Sequence, residues 1–105
     1  MSDIDLQELS ARLGEVPVLD VRNDYEYEGG HIPGALHLPL DELMALDEDG
    51  IRARLGLERG AEVVAYCHSG SRSEFASQIL QRLGYDARNY VGSWREWSST
   101  ELPTE

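Results

Sequence analysis

No lysine occurs among the 105 residues, and each of the nine basic side chains is an arginine. A Schiff-base mechanism is therefore closed to this chain, and so is a P-loop, whose lysine contacts phosphate. Cysteine is nearly as scarce. Cys67 stands alone, which rules out an intramolecular disulfide and a cluster of thiolates around a metal. Any group that Cys67 acquires must pass to an outside acceptor, because no second thiol can resolve it. The three histidines, His31, His37 and His68, are too scattered to suggest a metal site, and no cofactor is expected. Positive charge is short as well: 9 basic against 20 acidic side chains give a formal net charge of -11. That balance argues against nucleic acid and anionic membranes as partners. It also repels small anions until screening intervenes at about 8 to 10 Å, so a site for an anion has to be built locally. No stretch approaches the ~20 apolar residues that span a bilayer. The start, Met1-Ser2-Asp3-Ile4-Asp5, lacks the basic and apolar blocks of a secretion signal. A cytoplasmic location is expected.

What is present suits one domain, residues 1–105, able to bury on the order of two-thirds of its unfolded surface. Leu6, Leu9 and Leu13 recur at helical spacing over Asp5 to Leu13, with Gly14 as a stop. Val16 to Val21 is a short β-branched run without alternation, as in a strand buried on both faces, and is expected at the centre of the sheet. One helical turn over Asp24 to Glu28 precedes the Gly29-Gly30 break, and a brief extended segment, Ala35 to Leu38, follows the turn at His31-Ile32-Pro33-Gly34. Two short helices, Leu40 to Leu46 and Ile51 to Leu55, flank an acidic turn, Asp47-Glu48-Asp49-Gly50. The strand Val63 to Tyr66, a helix from about Ser73 to Leu83 and a strand from Ala87 to Val91 come next. A helical turn carries Trp94 and Trp97, and the polar tail Ser98 to Glu105 is expected to fray. Strands alternating with helices point to an α/β domain with a mostly parallel sheet.

The junction Cys67-His68-Ser69-Gly70-Ser71-Arg72-Ser73 lies between a strand's carboxyl end and a helix's start. Helix N-termini carry unpaired N–H groups and about half a positive charge, which favour a thiolate. In open α/β sheets ligands bind at the carboxyl ends of strands. The loop holds no bulky apolar residue, and Gly70 permits the tight turn that aims successive N–H groups at one central atom. Cys67 is thus the candidate nucleophile, in a nest made by His68, Ser69, Gly70, Ser71, Arg72 and Ser73.

Three segments in order resemble the rhodanese, or sulfurtransferase, domain: Val18-Leu19-Asp20-Val21-Arg22 with its acidic continuation, Gly30-His31-Ile32-Pro33-Gly34-Ala35, and the Cys67 loop. The likeness continues through Leu83-Gly84-Tyr85 to Gly92-Ser93-Trp94-Arg95-Glu96-Trp97 and is strongest over residues 16–97. It implies a rhodanese-like three-layer α/β/α fold around a central, mostly parallel five-stranded sheet. It also implies an activity: the cysteine takes a sulfane sulfur from a small anionic donor such as thiosulfate, becomes a persulfide, and hands the sulfur to a thiol acceptor or a sulfur-relay protein. Two alternatives stand beside it, a sulfur-carrier or regulatory module that works with a protein partner, and a cysteine-dependent phosphatase or arsenate reductase. Loop length weighs against the second. Those enzymes place arginine six positions after the cysteine, where this chain has Ser73, and the shorter cradle Cys67 to Arg72 suits one sulfur atom better than a tetrahedral phosphate.

Arg22 should emerge at the same sheet edge as the loop, either meeting the donor's anionic group, as the resemblance implies, or pairing with Asp24 or Glu26. Arg72 either faces the donor or braces the loop against a buried carboxylate such as Asp20, and a planar five-donor fork favours the brace. His68 is the loop side chain best placed to look out at substrate, as an anion contact or proton donor. His31 is read as structural support within its turn. The loop departs from thiosulfate-specialised two-domain members, which carry cations where His68 and Ser69 stand, so the donor stays open.

Overall fold

Short β-branched runs that are apolar on both sides cannot form amphipathic helices, and here they assemble into one sheet. The computed structural model describes residues 3–105. In chain order the elements are β1 (Asp3–Ile4), α1 (Leu6–Ala11), β2 (Val18–Asp20), α2 (Asp24–Glu28), β3 (Leu36–His37), α3 (Leu40–Ala45), α4 (Glu48–Leu55), β4 (Glu62–Tyr66), α5 (Ser71–Arg82), β5 (Asp86–Tyr90) and α6 (Ser93–Trp97). The sheet order is β1-β5-β4-β2-β3, and every neighbouring pair is parallel. The α/β architecture with a five-stranded central sheet is the one the sequence leads us to expect, and it is wholly rather than mostly parallel.

Residues of β4 and its extension alternate between the two faces, as the period of two in a strand requires. Val63 and Cys67 join Leu19, Leu43, Ile51, Leu55, Ala76 and Leu80 on the side covered by α3, α4 and α5. Val64 and Tyr66 join Ile4, Leu9, Val18, Tyr90 and Trp97 on the side covered by α1 and α6. Three layers result, and the carboxyl ends of β2, β4 and β5 open on one edge, where the Cys67 loop lies.

Four expectations need correction. β4, not β2, is the middle strand, because β5 and β2 occupy its two edges; β2 is buried on both faces from the next position. The acidic segment expected as a turn is instead the start of α4: Asp47 accepts the Gly50 N–H at 2.8 Å, and Glu48 and Asp49 sit where helix N-termini favour negative charge. The helix after the loop starts at Ser71, two residues earlier than the apolar periodicity suggests, and no sequence pattern marks the edge strand β1. Nor is the tail frayed. His31 and Glu105 exchange backbone hydrogen bonds at 2.9 and 3.1 Å, and the Trp97 indole donates to the Pro103 carbonyl at 2.8 Å.

Candidate active site

Tyr66 ends β4 and Cys67 is the first residue past it, so the parallel register fixes where the thiol stands. Each polar atom of Cys67 has a partner. Its N–H donates to Ser93 Oγ at 3.2 Å, and its carbonyl accepts the Trp94 N–H at 2.9 Å. Its sulfur accepts the Gly70 N–H at 3.1 Å and the Ser73 hydroxyl at 3.4 Å. The residue is fully buried. Burial pushes the thiol up, but the Ser73 hydroxyl and the N–H groups of Ser73, Gly70 and Ser69 outweigh it and hold the thiol below its ordinary value.

Gly70 makes this turn possible. Its φ of +98° is left-handed, and a Cβ there would stand 2.6 Å from the Val91 carbonyl oxygen. The start of α6 grips the loop from the other side, with the Arg95 N–H donating to the His68 carbonyl at 2.9 Å. Ser93, which receives the Cys67 N–H, is itself left-handed at φ 57° and fully buried, and its hydroxyl donates to the Tyr90 carbonyl at 2.8 Å. A non-glycine residue in that region stores on the order of 1 kcal/mol, which the Cys67 and Tyr90 bonds hold in place.

The structure brings His68, Ser69 and Ser71 to the exposed rim of the loop, and Gly70 and Ser73 to its buried floor beside the sulfur. The two arginines exchange the carboxylates expected of them. Arg22, placed by the sequence at the donor anion or against Asp24 or Glu26, is 2% exposed. Its Nη2 donates to Asp20 at 2.7 Å and to the Gly30 carbonyl at 2.6 Å, and its guanidinium lies 4.9 Å from the Trp94 ring centre. The bonds that Arg22 makes through Nε and Nη2 all go to Asp20 and the Gly30 carbonyl, as in a structural pair. Arg72 meets Glu26 rather than Asp20, in a two-pronged pair at 2.9 and 3.1 Å. Glu26 is in turn held by α2's N-terminal cap, where its side chain accepts the Asn23 N–H at 3.1 Å. Arg72 is also within electrostatic reach of the Cys67 sulfur, whose negative charge favours the guanidinium.

Asp20 is the hub beneath the loop. Fully buried, it accepts the Tyr66 hydroxyl at 2.5 Å, the Arg22 N–H at 2.9 Å and the Arg22 guanidinium. Tyr66 Oη also accepts the Ile32 N–H at 3.0 Å, which ties the His31-Ile32-Pro33 turn to β4. His31 stacks on Tyr27 with ring centres 3.8 Å apart, and its Nδ1 lies 3.0 Å from the Tyr27 carbonyl. Sequence reasoning missed Ser93, Tyr66, Glu26 and Asn89 as members of the site. Asn89 gave no local sign, because β5 also carries the charged residues Asp86 and Arg88.

The family model of the rhodanese-like domain matches residues 5–100. A human protein named thiosulfate:glutathione sulfurtransferase is 35% identical over 93% of this chain and 94% of its own length. The solved structure of the human single-domain sulfurtransferase TSTD1 superposes with a TM-score of 0.83 at 34% identity, covering 97% of this chain and 99% of that one. A Schizosaccharomyces pombe protein whose name is that of a mitochondrial thiosulfate sulfurtransferase is 40% identical over 77% of this chain, which spans 62% of that relative. A Bacillus subtilis protein named as a sulfur carrier, YrkF, is 37% identical over 77% of this chain and 40% of its own length. Among the described residues no helix is long and apolar enough to cross a membrane.

Proposed function

Because the chain belongs to the rhodanese-like family, we propose that it is a sulfurtransferase in which Cys67 carries the sulfur from a small anionic donor to a thiol acceptor. The observation that carries this reading is the sulfur's own environment, an N–H at 3.1 Å and a hydroxyl at 3.4 Å aimed at one atom in a six-residue loop. The Cys67 thiolate attacks the outer sulfur of thiosulfate, and the S–S bond of the donor breaks with sulfite leaving on the bonding pair. The negative charge then resides on the outer persulfide sulfur. An acceptor thiolate attacks that sulfur, and Cys67 leaves as the thiolate it was. Donors that stabilise this thiolate raise the fraction of Cys67 ionised for the first half and ease its departure as the leaving group in the second. No second cysteine is needed, in keeping with the composition.

Arg72 supplies a positive charge within electrostatic reach of the sulfur while Glu26 keeps its fork oriented, and His68, Ser69 and Ser71 form the rim that a donor would meet. A protein thiol as acceptor is favoured by one further feature. The exposed large apolar side chains Tyr25, Met44, Phe75 and Val91 all lie on segments that follow the carboxyl ends of β2, β3, β4 and β5. Purified protein given thiosulfate and a thiol acceptor such as glutathione should release sulfite and form the acceptor's persulfide, and Cys67→Ser should do neither. Sulfite release undiminished in Cys67→Ser would reject the assignment, and hydrolysis of an aryl phosphate in its place would redirect it to phosphatase chemistry.

A further inference from the structure

Asn89 lies on β5, outside the loop, and is 5% exposed. Its amide faces two members of the cradle. Nδ2 donates to the Gly70 carbonyl at 3.2 Å, and Oδ1 lies 2.6 Å from Ser73 Oγ. The orientation is forced, because a carbonyl has no hydrogen to give: the Gly70 side must meet Nδ2, which leaves Oδ1 for Ser73 and makes the hydroxyl the donor there. Yet the same hydroxyl is 3.4 Å from the Cys67 sulfur. One proton therefore has two acceptors.

We propose that Asn89 is a positioning residue for the sulfur site, competing with the Cys67 sulfur for the single proton of the Ser73 hydroxyl. While Cys67 is a thiol, the hydroxyl gives its proton to Asn89 and turns a lone pair to the sulfur. When the thiolate forms, the proton swings to the sulfur, and Asn89 loses its bond. In the persulfide the charge has moved to the outer atom, the inner sulfur needs no donor, and the proton returns to Asn89. The amide thus restrains the thiolate and provides a resting acceptor in the loaded state. This deepens, and rests on, the role proposed above for Cys67.

The charged or titratable groups around the cluster are Arg72 with Glu26, Asp20 with Arg22, and the exposed His68, next to Cys67 in the chain. On the Asn89 side, Asp3 and Glu74 share a cleft with Asn89, Ser69 and Ser71. All of them are common to the variants compared below and cancel between them. The pH titration of thiolate ultraviolet absorbance, with Cys67→Ser as the blank, is measured in wild type, Asn89→Leu, Ser73→Ala and the double variant. Asn89→Leu also releases the Gly70 carbonyl, but that effect is the same in both backgrounds. Competition for the proton requires Asn89→Leu to shift the Cys67 midpoint to lower pH when Ser73 is present than it does in the Ser73→Ala background, by at least about half a unit, a roughly threefold change in equilibrium. Equal shifts in the two backgrounds would overturn it and leave Asn89 a prop for Gly70. Asn89→Ala run in parallel keeps the comparison available if the leucine does not fit. The titration uses no sulfur donor, so failure of wild type to accept sulfur from thiosulfate would strike the proposed function and not this coupling.

Discussion

Replacing Arg22 by methionine keeps an unbranched apolar stem and removes the guanidinium, which leaves the Asp20 carboxylate fully buried with only the Tyr66 hydroxyl and one backbone N–H. Breaking one side of a buried ion pair costs about 3 to 5 kcal/mol, because the remaining charge is neither hydrated nor paired. The Gly30 carbonyl also loses its 2.6 Å donor, which places the effect toward the upper end. In a domain of this size about 4 °C of melting temperature accompanies each kcal/mol, so a fall of about 12 to 20 °C is expected. That is a large part of the roughly 5 to 15 kcal/mol that holds a domain folded. Thermal and urea unfolding of Arg22→Met measure it directly, and the KM for thiosulfate measured well below the variant's melting range completes the test. A stability loss under about 1 kcal/mol, together with a rise in KM of tenfold or more, would refute the burial argument and restore Arg22 to the donor anion.

Gly70→Ala combines a left-handed φ with a 2.6 Å approach to a backbone oxygen; it should cost about 2 kcal/mol in urea unfolding and abolish sulfur loading, and wild-type values for both would contradict the cradle. Glu26→Gln releases the Arg72 fork, but the pair is partly exposed, so stability should change by about 1 kcal/mol or less while persulfide formation slows several-fold. An unaltered loading rate would show that the brace has no part in the chemistry. The Cys67 thiol is held below its unfolded value of about 8.5. Its ionisation therefore adds stability that is fully present above that pH and lost as pH falls through the folded midpoint. Wild type should gain on Cys67→Ser in chemical denaturation as pH rises across that window, and a difference independent of pH would exclude a depressed thiol.

The candidate nucleophile and its loop can be read from the sequence because strand, glycine turn and helix start are consecutive in the chain, and the physics that favours a thiolate there is local. The arginines cannot be assigned in the same way. Spacing puts Arg22 at the correct sheet edge, but its direction is decided by Asp20, by the Gly30 carbonyl and by the ring of Trp94, and Trp94 arrives only through the fold. Arg72 pairs with a carboxylate, as its planar fork suggests, but with Glu26 in place of Asp20. Glu26 reaches it across 46 positions of sequence. The tail's polarity suggests fraying because the backbone exchange between His31 and Glu105 leaves no periodic trace. A two-residue strand such as β1 is too short for any pattern. Ser93 meets the Cys67 N–H from the start of α6, and Asn89 meets Ser73 and Gly70 from β5, so their places at the site emerge only when β5 lies beside β4.

The central claim, that the lone cysteine accepts sulfur, is tested most directly by intact mass spectrometry of the protein after brief incubation with thiosulfate and removal of excess donor. One added sulfur atom per chain is expected, located on the Cys67 peptide, discharged by a thiol acceptor and absent from Cys67→Ser. No added sulfur from thiosulfate, polysulfide or mercaptopyruvate, or an equal gain in Cys67→Ser, would contradict it.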